Sequence, residues 1–265
     1  MLRNALKAPL YLSHVGTVRR YSESKYKLSA LKSYRNPGVE DDRPRCHTAK
    51  GQAGNEGKLS QSLSRSKAKI FELSYCNPWE CFCTFTLDKT KYDRHDLGKF
   101  VSDLSQFIRN YNRLKGADIK YMLIPERHTD GAWHMHGFLM GLPREHLTAF
   151  SLKDKLPYKI RARLKEGKAV YTWSSYANKF GFADIELIEN SEAVSKYITK
   201  YVTEDITRTI TELNAHLYYC SKGLKTSELV YRDYLTREIP SPDFSNDYVA
   251  VKWYDNPEQT CEVFT

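Results

Sequence analysis

Apolar and polar positions along this chain alternate with two different periods. Phe82-Cys83-Thr84-Phe85-Thr86-Leu87 is β-branched and aromatic and predicts a strand. Leu97, Val101, Leu104, Ile108 and Tyr111 recur at steps of four, three, four and three. That spacing is one face of a helix, with Asp93 as its N-cap and Gly116 as its stop. Lys120 to Pro125 and Trp133 to Met140 predict two more strands. A strand over 183–188, a helix capped by Asn190 or Ser191 and running to about Thr203, and a strand over 213–219 follow. Order is expected to begin near Lys69-Ile70-Phe71-Glu72-Leu73, and residues 143–170 read as basic and irregular, with a short helix after Pro143. The succession of strand, helix, two strands and helix predicts an α+β fold, a central antiparallel sheet with helices packed on it.

Composition and charge divide the chain further. Its 265 residues suffice for one large domain or two small ones. No run of 18 apolar residues exists, which excludes a spanning helix and predicts no membrane partner. Residues 1–70 carry a net charge of +10 and residues 71–265 a net charge of −1. The basic excess therefore belongs to the N-terminal part and suits a polyanion such as nucleic acid. Residues 1–68, rich in Ser, Lys, Arg and Gly, read as a basic and largely disordered arm, and residues 240–265 as a loose acidic tail. Residues 1–22 hold Arg3, Lys7, Arg19 and Arg20 without an acid, a pattern that also resembles a mitochondrial presequence. The six cysteines are too sparse for a secreted disulfide scaffold, and Cys76, Cys81 and Cys83 lack a standard zinc spacing. Cys81 and Cys83 are expected to be buried thiols in a reducing compartment.

The segment Pro125 to Phe138 carries the first chemistry. Asp130-Gly131 between two apolar runs signals a hairpin. A three-residue turn over Thr129–Gly131 puts Gly131 at a left-handed position and sets Glu126 opposite His134 and Ile124 opposite His136. Side-chain alternation then places His134 and His136 on one face and Met135 on the other. Two imidazoles and a carboxylate can hold a divalent ion and leave positions open for substrate oxygens, and Mg²⁺ or Mn²⁺ suits a phosphate. His128, in the turn, is either a fourth ligand or a solvated side chain.

A second constellation lies at Ser195-Lys196-Tyr197-Ile198-Thr199-Lys200-Tyr201-Val202. Tyr197 and Tyr201 are four residues apart and share a helix face, flanked by Lys196 and Lys200. A phenol becomes a competent nucleophile when a cation or metal stabilises its phenolate. The alternative is a plain amphipathic helix with Val194, Tyr197, Ile198, Tyr201 and Val202 as its buried stripe.

Taken together these residues resemble the HUH endonucleases, and among them the phage-type rolling-circle replication initiators. Phe85-Thr86-Leu87-Asp88 resembles the family's first motif, His134-Met135-His136 its metal-binding motif, and Tyr197-Ile198-Thr199-Lys200-Tyr201 its two-tyrosine motif. The step from Glu126 to His134 matches the usual third ligand, and Leu217 to Leu224 resembles a segment that follows the tyrosine helix. The likeness covers roughly residues 69–225, within a domain expected over 69–239. Two departures stand out: Glu204 occupies a position where many relatives carry a lysine, and no Gly-x4-Gly-Lys-Ser/Thr phosphate loop is present.

The resemblance implies a ferredoxin-like nuclease fold and metal-dependent nicking and rejoining of single-stranded DNA at an origin. Glu126, His134 and His136 would hold the ion. Tyr197 and Tyr201 would act as nucleophiles that form a 5′-phosphotyrosine link, with Lys200 assisting. DNA contacts would come from the 143–170 region and its neighbours, through Arg144, Lys159, Arg161, Arg163 and Lys196 to phosphates and Trp173, Tyr158, Tyr171 and Tyr176 to bases. A host helicase and polymerase are implied as partners, in the cytoplasm of a bacterium hosting a phage or plasmid. Two other functions fit the same residues: a metal-dependent hydrolase using the His-His-Glu set, and an origin-binding protein that does not nick.

Overall fold

The computed structural model describes residues 11–36, 39, 56–189, 194 and 216–264. In chain order the described strands and α-helices are β1 (Tyr11–Leu12), β2 (Val15–Ser22), β3 (Lys25–Leu31), β4 (Tyr34–Arg35), α1 (Glu56–Cys76), β5 (Cys81–Thr86), α2 (Leu97–Lys115), β6 (Lys120–Arg127), β7 (Trp133–Met140), β8 (Leu147–Ala149), α3 (Tyr158–Lys165), β9 (Tyr171–Trp173), α4 (Ser174–Lys179), β10 (Ala183–Leu187), β11 (Tyr219–Cys220), β12 (Glu228–Tyr234), β13 (Phe244–Ser245) and β14 (Val249–Tyr254). The fold is α+β with antiparallel sheets, as the order of periodic segments predicts. The chain divides into two compact units, residues 48–225 and residues 1–47 with 226–265.

The 48–225 unit is built on a seven-stranded sheet in the order β11-β6-β7-β5-β10-β9-β8. One face of that sheet packs on α2. Phe100, Leu104, Ile108 and Tyr111 of the helix meet Cys83, Phe85, Tyr121, Leu123, Met135 and Leu139 of the strands, together with Trp173, Tyr176 and Phe180. The helix is capped by Asp96, whose carboxylate accepts the Lys99 N–H at 2.8 Å, one turn later than Asp93. Asp93 instead accepts the His95 N–H at 2.9 Å in the turn before the helix. Gly116 ends the helix at φ 64°, a left-handed conformation that glycine adopts without penalty. The opposite face of the sheet is split in two. Met122, Ile124 and Phe138 form an apolar half covered by Ile70 and Leu73 of α1, by Trp79, by Val194 and by Leu217. The other half is polar and carries the site described below.

Strands β6 and β7 pair with Glu126 opposite His134 and Ile124 opposite His136, the register that the three-residue turn predicts. His128 donates its N–H to the Ala132 carbonyl at 2.8 Å to close the turn, and Gly131 takes φ 82°. Gly137 serves another purpose. A Cβ there would stand 2.0 Å from the Met122 carbonyl oxygen, so only glycine lets β6 and β7 approach this closely beside the histidines.

The second unit corrects the expectation of a disordered arm and a loose tail. Within the described residues of 1–47 and 226–265, β2, β3, β12, β13 and β14 form one antiparallel sheet in the order β12-β2-β3-β14-β13. Val18, Tyr26, Leu28, Ile239 and Val263 make its core. Arg20 pairs with Glu228, 208 residues away in sequence, and Lys25 with Asp255 at 3.0 Å. β2 and β3 pair with each other, and β12 and β14 from the far end of the chain flank them on either side, pairings that no local periodicity signals. Part of the N-terminal basic charge is thereby met by the C-terminal acids rather than left free for a polyanion. Order in the larger unit likewise starts before Lys69, with α1.

Candidate active site

The polar half of the central sheet face follows from strand alternation. Even-numbered residues of β5, β6, β7 and β10 point to one side, and the pairing register lines them up. Thr86 faces His134, Thr84 faces His136, and Asp184 faces Thr84 in turn. Glu126 joins them from β6. Thr84, Thr86, Glu126, His128, His134, His136, Asp184 and Glu186 line an open cleft of about 1040 Å³, whose far wall includes Pro157 and, from α3, Tyr158, Lys159, Ile160, Ala162 and Arg163.

Within the cleft Glu126 reaches diagonally rather than straight across. Its Oε2 stands 2.7 Å from His136 Nε2. That hydrogen bond holds the Glu126 carboxyl below the usual carboxylate range, against the opposing effect of its burial. The His134 and His136 rings lie nearly parallel, at 12°, with centroids 6.3 Å apart. Burial pushes the His134 imidazole below its usual value, and the neighbouring His136 and His128 add to the effect. A neutral imidazole is the form that ligates metal. The Nδ1 atoms of His134 and His136 face the hydroxyls of Thr86 and Thr84, at 2.9 Å and 3.1 Å.

The donor set fits a divalent ion in kind. Two donor atoms about 3 Å apart have the spacing of neighbouring ligands around an ion with bonds near 2.1 Å, and Glu126 and His136 meet it at 2.7 Å. Among the described residues, no three His, Cys, Asp or Glu side chains already close on one point. His134 stands one side-chain repeat along β7 from His136.

The wall opposite is a charged cluster of its own. Arg163 Nη2 donates to Asp184 Oδ2 at 2.6 Å, and Arg163 Nη1 donates to Glu186 Oε1. Its guanidinium is thus committed to two carboxylates from β10. Tyr158 at the start of α3 is 85% exposed, and Lys159 beside it is exposed too. Arg161 is exposed and donates to the Asp154 carbonyl at 3.2 Å. Arg144 is exposed but sits just after Pro143, outside the cleft lining. Trp173 is a correction. It is fully buried against Phe85, Phe107 and Tyr111, and a ring enclosed on all sides offers no face to a nucleobase. Tyr176, stacked on Phe85 at 4.3 Å, is excluded for the same reason.

Tyr197, Tyr201, Lys196 and Lys200 lie outside the described residues. Val194, three positions before Tyr197, is described and buried among Ile70, Trp79, Ile124 and Phe138, on the face of the sheet that bears His134 and His136. Sequence reasoning missed Thr84 and Asp184 as partners in this cleft. Their alternation with Cys83 and Ile185 was visible, but their place beside the histidines depends on strand pairings that no local pattern encodes.

Residues 80–206 match the family model for replication-associated protein ORF2. That span contains the Glu126, His134 and His136 set and both tyrosines. Neither the curated proteins nor the solved structures compared with the chain gave a match. Among the described residues no helix is long and apolar enough to cross a membrane.

Proposed function

On the premise that residues 80–206 belong to the replication-associated protein ORF2 family, we propose that this chain starts DNA replication by cutting and later rejoining one strand at an origin. The observation that carries the proposal is the polar half of the central sheet, where Glu126, His134 and His136 share one cleft.

Glu126, His134 and His136 would hold Mg²⁺ or Mn²⁺, which when bound draws charge from the oxygens of the scissile phosphate. Tyr197 or Tyr201 is the nucleophile. Its phenolate oxygen bonds to phosphorus, the bond from phosphorus to O3′ breaks, and the departing oxygen takes up a proton to become a free 3′-OH. The 5′ end of the other fragment stays on the tyrosine as a phosphodiester. Lys200, between the two phenols in sequence, holds the phosphate or favours the phenolate. A polymerase from the host extends the 3′-OH, and a host helicase opens the duplex, since the chain has no phosphate loop of its own. The second tyrosine cuts the regenerated origin, and the new 3′-OH attacks the first phosphotyrosine, which frees the phenol and closes the strand. Burial of Val194 on the histidine-bearing face supports this reading, because the chain continues from there to Tyr197 within three residues. Tyr158 and Lys159 on the cleft wall suit a single strand, one by stacking and one by charge.

The test uses a pool of single-stranded oligonucleotides of random sequence, labelled at the 3′ end, incubated with the full chain and Mn²⁺ and run on a denaturing gel. The proposal expects labelled DNA retarded by the mass of the protein, lost on chelation and lost in Tyr197→Phe/Tyr201→Phe. Cleaved DNA without the retarded band would instead mark a hydrolase. DNA that stays intact on the denaturing gel in every condition but is retarded on a parallel native gel would mark an origin-binding protein.

A further inference from the structure

The cleft holds two hydroxyls that the reaction above does not use. Thr84 Oγ1 is 3.1 Å from His136 Nδ1, and Thr86 Oγ1 is 2.9 Å from His134 Nδ1. Both threonines sit on β5, directly across from the histidines they touch. We propose that Thr84 and Thr86 are positioning residues that hold the rings of His136 and His134 at Nδ1, Thr86 keeping the proton of His134 on Nδ1 and Thr84 accepting from Nδ1–H of His136 when its Nε2 turns to an ion, so that each Nε2 can present its lone pair in the cleft.

A neutral imidazole has one N–H and one lone pair, and an ion takes only the lone pair. A group that accepts a hydrogen bond from Nδ1–H leaves the lone pair on Nε2, and outer partners of this kind govern ligand orientation and basicity. The β-branched threonine suits the task because its χ1 is restricted in a strand. Directly opposite residues in an antiparallel pair also have Cβ atoms only about 5 Å apart. The hydroxyl brings a further property. In the structure His136 Nε2 is engaged by the Glu126 carboxylate at 2.7 Å, an arrangement that calls for a proton on Nε2 and a lone pair on Nδ1. Thr84 can donate to Nδ1 in that state and accept from Nδ1–H once Nε2 turns to an ion. A carbonyl or a carboxylate can only accept. The threonines thus serve both states of the site and add no negative charge to a cleft that receives phosphate.

This inference rests on the metal reading given above, so the experiment separates the two. Thr84→Val and Thr86→Val remove the hydroxyl and keep a residue that strands favour; Thr84→Ser and Thr86→Ser keep the hydroxyl. All are made in the full chain, with near-ultraviolet circular dichroism to confirm the fold. Mn²⁺ affinity is read by electron paramagnetic resonance, and the tautomers of the metal-free protein by ¹⁵N resonance of the labelled imidazoles. Each valine variant is expected to lose about 10- to 100-fold in Mn²⁺ affinity, and each serine variant to recover most of it. His134 is expected to carry its proton on Nδ1 in the unaltered chain and to shift toward the mixture of a free imidazole in Thr86→Val. Valine variants that bind Mn²⁺ as the unaltered chain does, or serine variants that lose as much as valine, would overturn the proposal. If the unaltered chain binds no Mn²⁺, the metal reading fails, and the resonance of the metal-free His134 ring still decides whether Thr86 sets its tautomer.

Discussion

Arg163 offers a quantitative check on how the cleft wall is built. Its guanidinium bridges Asp184 and Glu186, and the three side chains are 25%, 9% and 33% exposed. Asp184 Oδ1 is buried without a hydrogen-bond partner, so Arg163 is the neighbour on which that carboxylate depends. Arg163→Met strands a nearly buried charge while keeping most of the side-chain volume. Breaking a fully buried pair destabilises by about 3–5 kcal/mol, and the partial exposure of Arg163 and Glu186 screens part of this, which leaves about 2–3 kcal/mol. With a urea slope of about 2 kcal/mol per molar, the unfolding midpoint falls by about 1–1.5 M. Adding Asp184→Asn removes the stranded charge and should return at least about 1 kcal/mol. Urea titrations of the unaltered chain and the single and double variants, followed by near-ultraviolet circular dichroism, measure each term. A single variant within 0.5 kcal/mol of the unaltered chain on the usual scatter of surface changes, or a double variant weaker than Arg163→Met, would refute the reasoning. An Arg163 committed to carboxylates also leaves the salt dependence of single-strand binding unchanged when it is replaced, whereas a phosphate contact would lower the slope by about 0.7.

Other consequences follow from the same structure. Gly137→Ala pushes a Cβ against the Met122 carbonyl and should destabilise the chain by about 1–3 kcal/mol; an unchanged melting temperature would contradict this. Burial pushes the Cys81 thiol up to about 12 and the Cys76 thiol to about 11. Iodoacetamide at pH 8 should therefore spare Cys81 and Cys83 and modify Cys261, as peptide mass spectrometry can show. The lowered His134 value means that the unfolded chain binds its proton more tightly than the native chain does. Stability from this group is present above the usual imidazole value of about 6.5 and falls as pH drops below it, by at most about 1.4 kcal/mol per pH unit. Glu126, also lowered, adds a second loss only at more acid pH, as pH falls through its native value. Melting curves from pH 7.5 to 5.5 should be flatter for His134→Gln than for the unaltered chain, and equal slopes would count against the assignment.

The parts of this molecule that could be read from sequence are those whose geometry is set locally. The β6–β7 register follows from one turn of three residues, and the buried stripe of α2 follows from its own spacing. The parts that could not be read depend on distant partners. Thr84 and Thr86 become relevant only when β5 pairs with β7, some 50 residues away. Trp173 reads as an aromatic in a basic region, and only its packing on Phe85 and Tyr111 shows that it belongs to the core. The sheet of the terminal strands does not stand out in sequence because β2 with β12 and β3 with β14 join opposite ends of the chain. Arg163 looks like any cation of the 143–170 region until β10 brings two carboxylates to it.

The most direct test of the central claim is to digest the protein after reaction with Mn²⁺ and single-stranded DNA, remove the DNA with nuclease, and map the remaining nucleotide by tandem mass spectrometry. The account predicts a nucleotide joined through its 5′ phosphate to Tyr197 or Tyr201, absent when the ion is chelated and absent in His136→Ala. Cleaved DNA with both tyrosines unmodified, or a nucleotide attached to any other residue, would contradict it.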